Sequence, residues 1–145
     1  MKIIVNKFIN IEKINKKEEN IKSLYKLFIS RPNYHLISAK KQISFEKHKK
    51  FVKNNPYRYW FIIYVKNNLA GTIYFTKENT IGYFIKNKYL SNTQIIFKSI
   101  LKIIKPLPKK LSVRQDFFTI NISHRNKKYK KIFKKIGFEL IQETF

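Results

Sequence analysis
The sequence predicts a single α/β domain of the α+β kind: four helices on a mixed, mostly antiparallel sheet of about six or seven strands. Three observations predict it. Strand-like runs and amphipathic runs of helical period alternate in the order β-α-α-β-β-β-α-β-α-β, a pattern that places helices on a mixed sheet. The chain has 145 residues, 43% hydrophobic and 16% aromatic, enough for one sizeable core. Its three glycines, Gly71, Gly82 and Gly137, fall inside two β-like runs and at the end of the last amphipathic run. One domain spanning 1–145 is expected, with no repeat or linker.

Each element has its own local reason. Lys2 to Ile9 reads as a first strand. Glu18 to Ser30 places Ile21, Leu24, Tyr25 and Phe28 on one helix face, and Arg31-Pro32 ends it. Ser44 is a natural N-cap for a second helix that turns Phe45, His48, Phe51 and Val52 inward and stops near Asn54-Asn55-Pro56. Tyr59 to Val65 is continuously apolar, as in a strand covered on both faces. Asn67-Asn68 suits a hairpin turn because Asn tolerates positive φ, and Leu69 to Phe75 is the partner strand. After the turn Lys77-Glu78-Asn79 comes the strand Thr80 to Ile85. Asn92 to Ile104 is a helix with Ile96, Ile100, Ile103 and Ile104 on one side, ended by Pro106 and Pro108. Phe117 to Ile122 is a strand, Lys127 to Ile136 a helix striped by Tyr129, Ile132, Phe133 and Ile136, and Phe138 to Thr144 a last strand.

The chain has no cysteine, so disulfides, thiolate metal sites and a Cys nucleophile are excluded, and no metal site is expected. No apolar run approaches a membrane span and the N-terminus does not read as a signal peptide, so the expected compartment is the cytoplasm. The formal net charge of +24 suggests a nucleic-acid partner. The basic residues are overwhelmingly Lys, however, with Arg only at 31, 58, 114 and 125, and Ala only at 39 and 70. An AT-rich coding sequence produces that bias with no polyanion to bind, and Arg is the usual bidentate reader of phosphate. Nucleic acid is therefore possible but not favoured, and the Lys127 to Lys135 run reads first as a solvated helix face.

Asn126-Lys127-Lys128-Tyr129 followed by Lys135-Ile136-Gly137-Phe138 resembles the N-x-x-S…K-x-G-F ending of the GNAT superfamily of acyl-CoA-dependent N-acyltransferases. Gly71-Thr72-Ile73 resembles the third strand and Ile81-Gly82-Tyr83-Phe84-Ile85 the fourth. Ser44-Phe45-Glu46-Lys47-His48 with Phe51-Val52 is similar to the S-x-E-E-H-x-x-F/W segment of branches acting on protein N-termini and amino sugars. The resemblance implies splayed fourth and fifth strands, with the pantetheine arm of acetyl-CoA, or another acyl-CoA, lying between them as a false strand. It implies transfer of an acyl group to a primary amine of a small metabolite such as an amino sugar, by a monomer or homodimer.

The resemblance breaks at the strand-to-helix turn. The family signature there is R/Q-x-x-G-x-G/A, and this chain has Leu90-Ser91-Asn92-Thr93-Gln94-Ile95. Glycine lets main-chain N–H groups approach phosphate with no Cβ in the way. Thr93 and Ile95 are bulky, and Ser91-x-x-Gln94 reads as a capping box that occupies the helix's own N–H groups. Lys86, Lys88 and Lys98 remain as point charges. The cofactor-binding residues implied are Tyr83, Phe84, Ile85, Ser91 to Ile95, Asn126 and Tyr129. No base is evident on the fourth strand; Glu78, Tyr83 and His124 are the catalytic candidates, and Phe133 stands where relatives place a tyrosine acid. Arg31, His48 and Trp60 are candidates for the acceptor side, with Tyr57, Arg58 and Tyr59 beside Trp60 as an acceptor wall. Two other readings are a GNAT-fold pseudoenzyme serving as an interaction or regulatory module, and a basic nucleic-acid binder.

Overall fold
The computed structural model of the protein describes residues 1–32 and 43–143. Six strands form one sheet in sequence order: β1 (Lys2–Ile4), β2 (Ile9–Lys13), β3 (Tyr59–Val65), β4 (Asn68–Phe75), β5 (Thr80–Ile85) and β6 (Thr119–Ile120). Neighbours are antiparallel except β5 and β6, which run parallel. Helices α1 (Glu18–Ile29) and α2 (Phe45–Asn54) supply the core of one face. Helices α3 (Thr93–Ile103) and α4 (Lys127–Ile136) supply that of the other.

The apolar run of β3 explains the two cores. Phe61, Ile63 and Val65 pack with Ile96, Phe97, Ile100, Tyr129 and Phe133, while Trp60 and Ile62 pack with Ile21, Leu24 and Val52. Period-2 alternation sends successive side chains to opposite faces, and both faces are covered. Ser44 caps α2 as predicted, its Oγ accepting from the Lys47 N–H at 3.3 Å. Gly137 closes α4 at φ 115°, and the Phe138 N–H reaches back to the Phe133 carbonyl at 2.9 Å.

Five predicted elements are corrected. The first strand is a two-stranded hairpin, because Asn6 Oδ1 accepts from the N–H groups of Phe8 and Ile9 and turns the chain. The β3–β4 turn sits one residue earlier, on Lys66 and Asn67, both at positive φ. A 3₁₀ segment, Asn87–Asn92, precedes α3, so the helix begins at Thr93. The Phe117 to Ile122 strand shrinks to β6, and 138–143 pairs with no strand, leaving Leu140 and Ile141 exposed. The predicted end of that last strand, Thr144, lies outside the described residues. Two predicted inward residues, Phe51 and Ile103, are exposed.

Asn79, read from the sequence only as part of a turn, holds the crossover between α3 and β6. Asn79 is fully buried at φ 64°. Its Nδ2 donates to the carbonyls of Leu107 (2.9 Å) and Gln115 (2.7 Å), and its Oδ1 accepts from the Leu107 N–H at 2.8 Å. Its own carbonyl accepts from the Thr119 N–H at 2.9 Å and so starts β6.

Candidate functional site
The sheet opens where the resemblance implies. β5 and β6 share only the pairs Thr80–Thr119 and Ile81–Ile120, and β5 then runs on from Gly82 to Ile85. The Lys86 N–H donates to the Ala70 carbonyl at 2.9 Å, which fixes the ladder alternation. Even-numbered β5 residues turn their main-chain groups to β4; Ile81, Tyr83 and Ile85 turn theirs towards the gap.

A side chain enters that gap. The Ile85 N–H donates to the Tyr129 hydroxyl at 2.9 Å, and that hydroxyl donates to the Ile85 carbonyl at 3.3 Å. Tyr129 is 5% exposed and projects from the first turn of α4, which is capped by the buried Asn126: its Oδ1 accepts from the Tyr129 N–H at 3.3 Å. The phenol thus offers Ile85 one donor and one acceptor, as an amide of an inserted strand would. The Tyr83 ring packs with Phe97, Tyr129 and Phe133, at centroid distances of 4.9, 5.9 and 5.9 Å. Its hydroxyl lies 2.9 Å from Thr93 Oγ1, and burial pushes its pKa well above the ordinary tyrosine value, so it stays protonated.

The turn after β5 differs from the predicted capping box. Asn92, the residue before α3, has helical φ and ψ (−85°, −6°), and no side chain caps the helix. An N-cap needs extended backbone, and the 3₁₀ lead-in denies it. Thr93 is buried and engaged with Tyr83; Ser91, Gln94 and Ile95 are exposed and Asn92 half-buried. Lys86 and Lys88 flank the gap, the first half-buried and the second exposed.

On the α1/α2 face, β4 and β5 carry an aromatic wall. The Tyr74 ring lies over Gly82, where any Cβ would collide with it, and stacks on Tyr57 at 3.9 Å and 7°. Tyr74 was not legible as a site residue, although a glycine inside a strand is itself a signal of close approach. Trp60 stands edge-on to both rings, with Nε1 donating to Thr72 Oγ1 at 3.0 Å; it is a satisfied core residue. Arg58 and Tyr59 do not join this wall: Arg58 donates to the Lys105 carbonyl at 2.7 Å, and Tyr59 stacks with Phe61 of the other core. His48 is 4% exposed, its ring 5.3 Å from Tyr25 and 5.6 Å from Phe28. Arg31 lies over Phe84 (5.5 Å) and Phe28 (5.9 Å). A cleft of about 200 Å³ beside it is lined by Ser30, Pro32, Phe84, Ile85, Lys86 and Asn87.

The structure does not bring the catalytic candidates together. Glu78 is exposed in the turn before β5, at the closed end of the gap, and His124 is exposed in the turn before α4. Among the described residues no cluster of His, Asp and Glu suits a metal, and no helix is long and apolar enough to cross a membrane.

No protein-family profile and no curated protein sequence matches the chain. Solved structures do. An acetyltransferase from Salmonella typhimurium that modifies the N-terminal serine of ribosomal protein L7/L12 matches at TM-score 0.69 and 16% identity, over 95% of this chain and 84% of its own. RimL, a ribosomal L7/L12 α-N-protein acetyltransferase solved in complex with coenzyme A, matches at 0.69 and 17%, over 98% and 86%. The N-acetyltransferase PseH of Campylobacter jejuni matches at 0.60 and 18%, over 94% and 92%. At these identities the likeness is one of architecture: the chain has the fold of the GNAT acetyltransferases.

Proposed function
We propose that the protein is an acyl-CoA-dependent N-acyltransferase that acylates, with acetyl as the simplest donor group, a primary amine on a small metabolite such as an amino sugar. The observation that carries this reading is the β5–β6 gap, on a fold shared with an acetyltransferase solved with coenzyme A. When bound, acyl-CoA supplies an activated thioester. The Tyr83 N–H faces the gap and is the main-chain donor available to a thioester oxygen as negative charge develops there. The Ile85 N–H and carbonyl are the pair that would hold a pantetheine amide, in exchange for the Tyr129 hydroxyl. Lys86 and Lys88 stand nearest for the phosphates. In the transfer the amine nitrogen bonds the acyl carbon and the carbon–sulfur bond breaks. The sulfur leaves as thiolate, and the ammonium proton passes to water, since no carboxylate or free imidazole lines the gap among the described residues.

A second reading has its own support. Tyr129 satisfies Ile85 internally, and the 3₁₀ segment replaces an open glycine turn. Both suit a protein that keeps the fold, does not bind acyl-CoA, and serves as an interaction or regulatory module. One titration separates the two. With acetyl-CoA raised to millimolar, the first reading expects the melting temperature to rise with ligand concentration. An unchanged melting curve would reject it in favour of the second.

A further inference from the structure
Arg31 is half-buried, and among the described residues no carboxylate pairs with it. Its Nε is buried and has no hydrogen-bond partner among the described residues. Burial lowers its pKa, and among the described residues only the tyrosines Tyr74, Tyr57 and Tyr129 oppose this. The chain has no Asp or Glu between Glu19 and Glu46. All eight carboxylates are exposed except Glu12, half-buried on β2 beside Tyr64. A second unpartnered nitrogen lies close by: His48 Nε2 is also buried, and the His48 ring packs on Phe28, the same ring that Arg31 approaches. Burial first, and then the Arg31 charge, hold His48 below its ordinary pKa, so the pair carries one net positive charge at neutral pH.

Burying part of a cation is disfavoured unless an anion compensates it. Structural arginines are compensated by a carboxylate or by carbonyl groups, and among the described residues the Arg31 Nε has neither. Its aromatic neighbours supply only a fraction of the missing stabilisation. A guanidinium is a planar fork of donors suited to the paired oxygens of an oxyanion. The open cleft abuts it through Ser30, Pro32 and Phe84, and reaches the Ile85 end of the gap where acyl transfer is placed.

We propose that Arg31 and His48, with the cleft beside Phe84, bind an oxyanion, phosphate or carboxylate, carried by the amine acceptor. The word acceptor rests on the transferase reading; the oxyanion site itself does not. An anionic group held at Arg31 would orient the molecule so that its amine, on the far side, reaches the gap. It would also distinguish acceptors by charge, which an aromatic wall alone does not.

The test reads Arg31 directly. Arginine occurs only at 31, 58, 114 and 125, so the Nε–H region of a nitrogen-15 NMR spectrum holds four signals, assignable by single Arg→Lys variants. The full chain is titrated at physiological salt with phosphoethanolamine, β-alanine and, as a control without an anion, ethanolamine. The Arg31 signal is expected to shift saturably with phosphoethanolamine or β-alanine, and the one that acts identifies phosphate or carboxylate. Ethanolamine is expected to bind at least about 10-fold more weakly, the difference one charged hydrogen bond supplies. An unmoved Arg31 signal overturns the proposal. So do four signals moving in parallel, which would be general screening of a chain of charge +24. Arg31→Met keeps the packing and removes the charge. It is expected to fold with an equal or higher melting temperature and to lose saturable binding, followed on the His48 ring signals. Retained binding in that variant refutes the assignment. The readout needs no acetyl-CoA. A chain that ignores acetyl-CoA yet shows the Arg31 response would lose the transferase reading and keep the oxyanion site.

Discussion

Removing one oxygen atom, in Tyr129→Phe, tests how the gap is closed. The Tyr129 hydroxyl serves the Ile85 N–H at 2.9 Å and the Ile85 carbonyl at 3.3 Å, in a buried setting. The phenylalanine ring fills the same space, so the change leaves a buried donor without its partner and opens no large cavity. Such an orphan costs about 1–3 kcal/mol. For a domain of this size that lowers the melting temperature by roughly 2–10 °C. The same sum reappears with opposite sign on binding. A pantetheine amide that restores the Ile85 bonds no longer displaces a satisfied hydroxyl, so acetyl-CoA should bind tighter by about 5- to 150-fold. Calorimetric titration of acetyl-CoA into the parent and the variant, beside their melting curves, measures both halves. Tyr129→Ser, which also removes the ring, should strengthen binding further at a larger cost in stability. A Tyr129→Phe chain that is destabilised yet binds acetyl-CoA no better than the parent would refute the reasoning.

Other outcomes follow from the packing. Gly82→Ala places a methyl group on the Tyr74 ring and breaks its stack on Tyr57; a loss of about 1–3 kcal/mol is expected in denaturant melts, relieved in the double variant with Tyr74→Ala. Asn79→Ala removes three side-chain hydrogen bonds and puts alanine at φ 64°, so urea unfolding should show a loss of roughly 3 kcal/mol. Asn79→Gly, which tolerates the backbone, should recover only the smaller conformational part. His48 is held neutral, below its ordinary value near 6.5, by burial and by Arg31. Its contribution to stability is complete above about pH 6.5 and is lost as pH falls towards the folded value; a melting-temperature profile should show that slope, and His48→Phe should flatten it.

The sequence announces its elements where one physical cause dominates. The continuous apolar run of β3, the Ser44 cap and the Gly137 stop are local, and each lies where its residues require. The β1–β2 hairpin escapes because Asn6, not glycine or proline, makes the turn. The Ser91 cap fails because 3₁₀ backbone from Asn87 onward leaves no extended residue to carry it. Of the site, the gap was legible only through the family resemblance. Arg31 and His48 stood out as polar residues near the acceptor side, but their lack of partners belongs to three-dimensional packing. Tyr129 was legible as a bulky residue where relatives have serine; that its hydroxyl would reach Ile85, 44 residues away in sequence, was not.

Asn79 gives the gap a mechanical character. β5 and β6 are joined at one end only, by two register pairs and by a side chain that ties the incoming crossover to the turn. Such an arrangement works as a pair of tongs with its pivot at Thr80 and Ile81. From Ile81 to the tip at Ile85 the arm measures about 13 Å. A rotation of only about 10° at the pivot would move that tip by roughly 2 Å. The spacing at Ile85 is therefore set from both ends: by the buried asparagine at the pivot, and by the ladder to β4 and the Tyr129 hydroxyl at the tip.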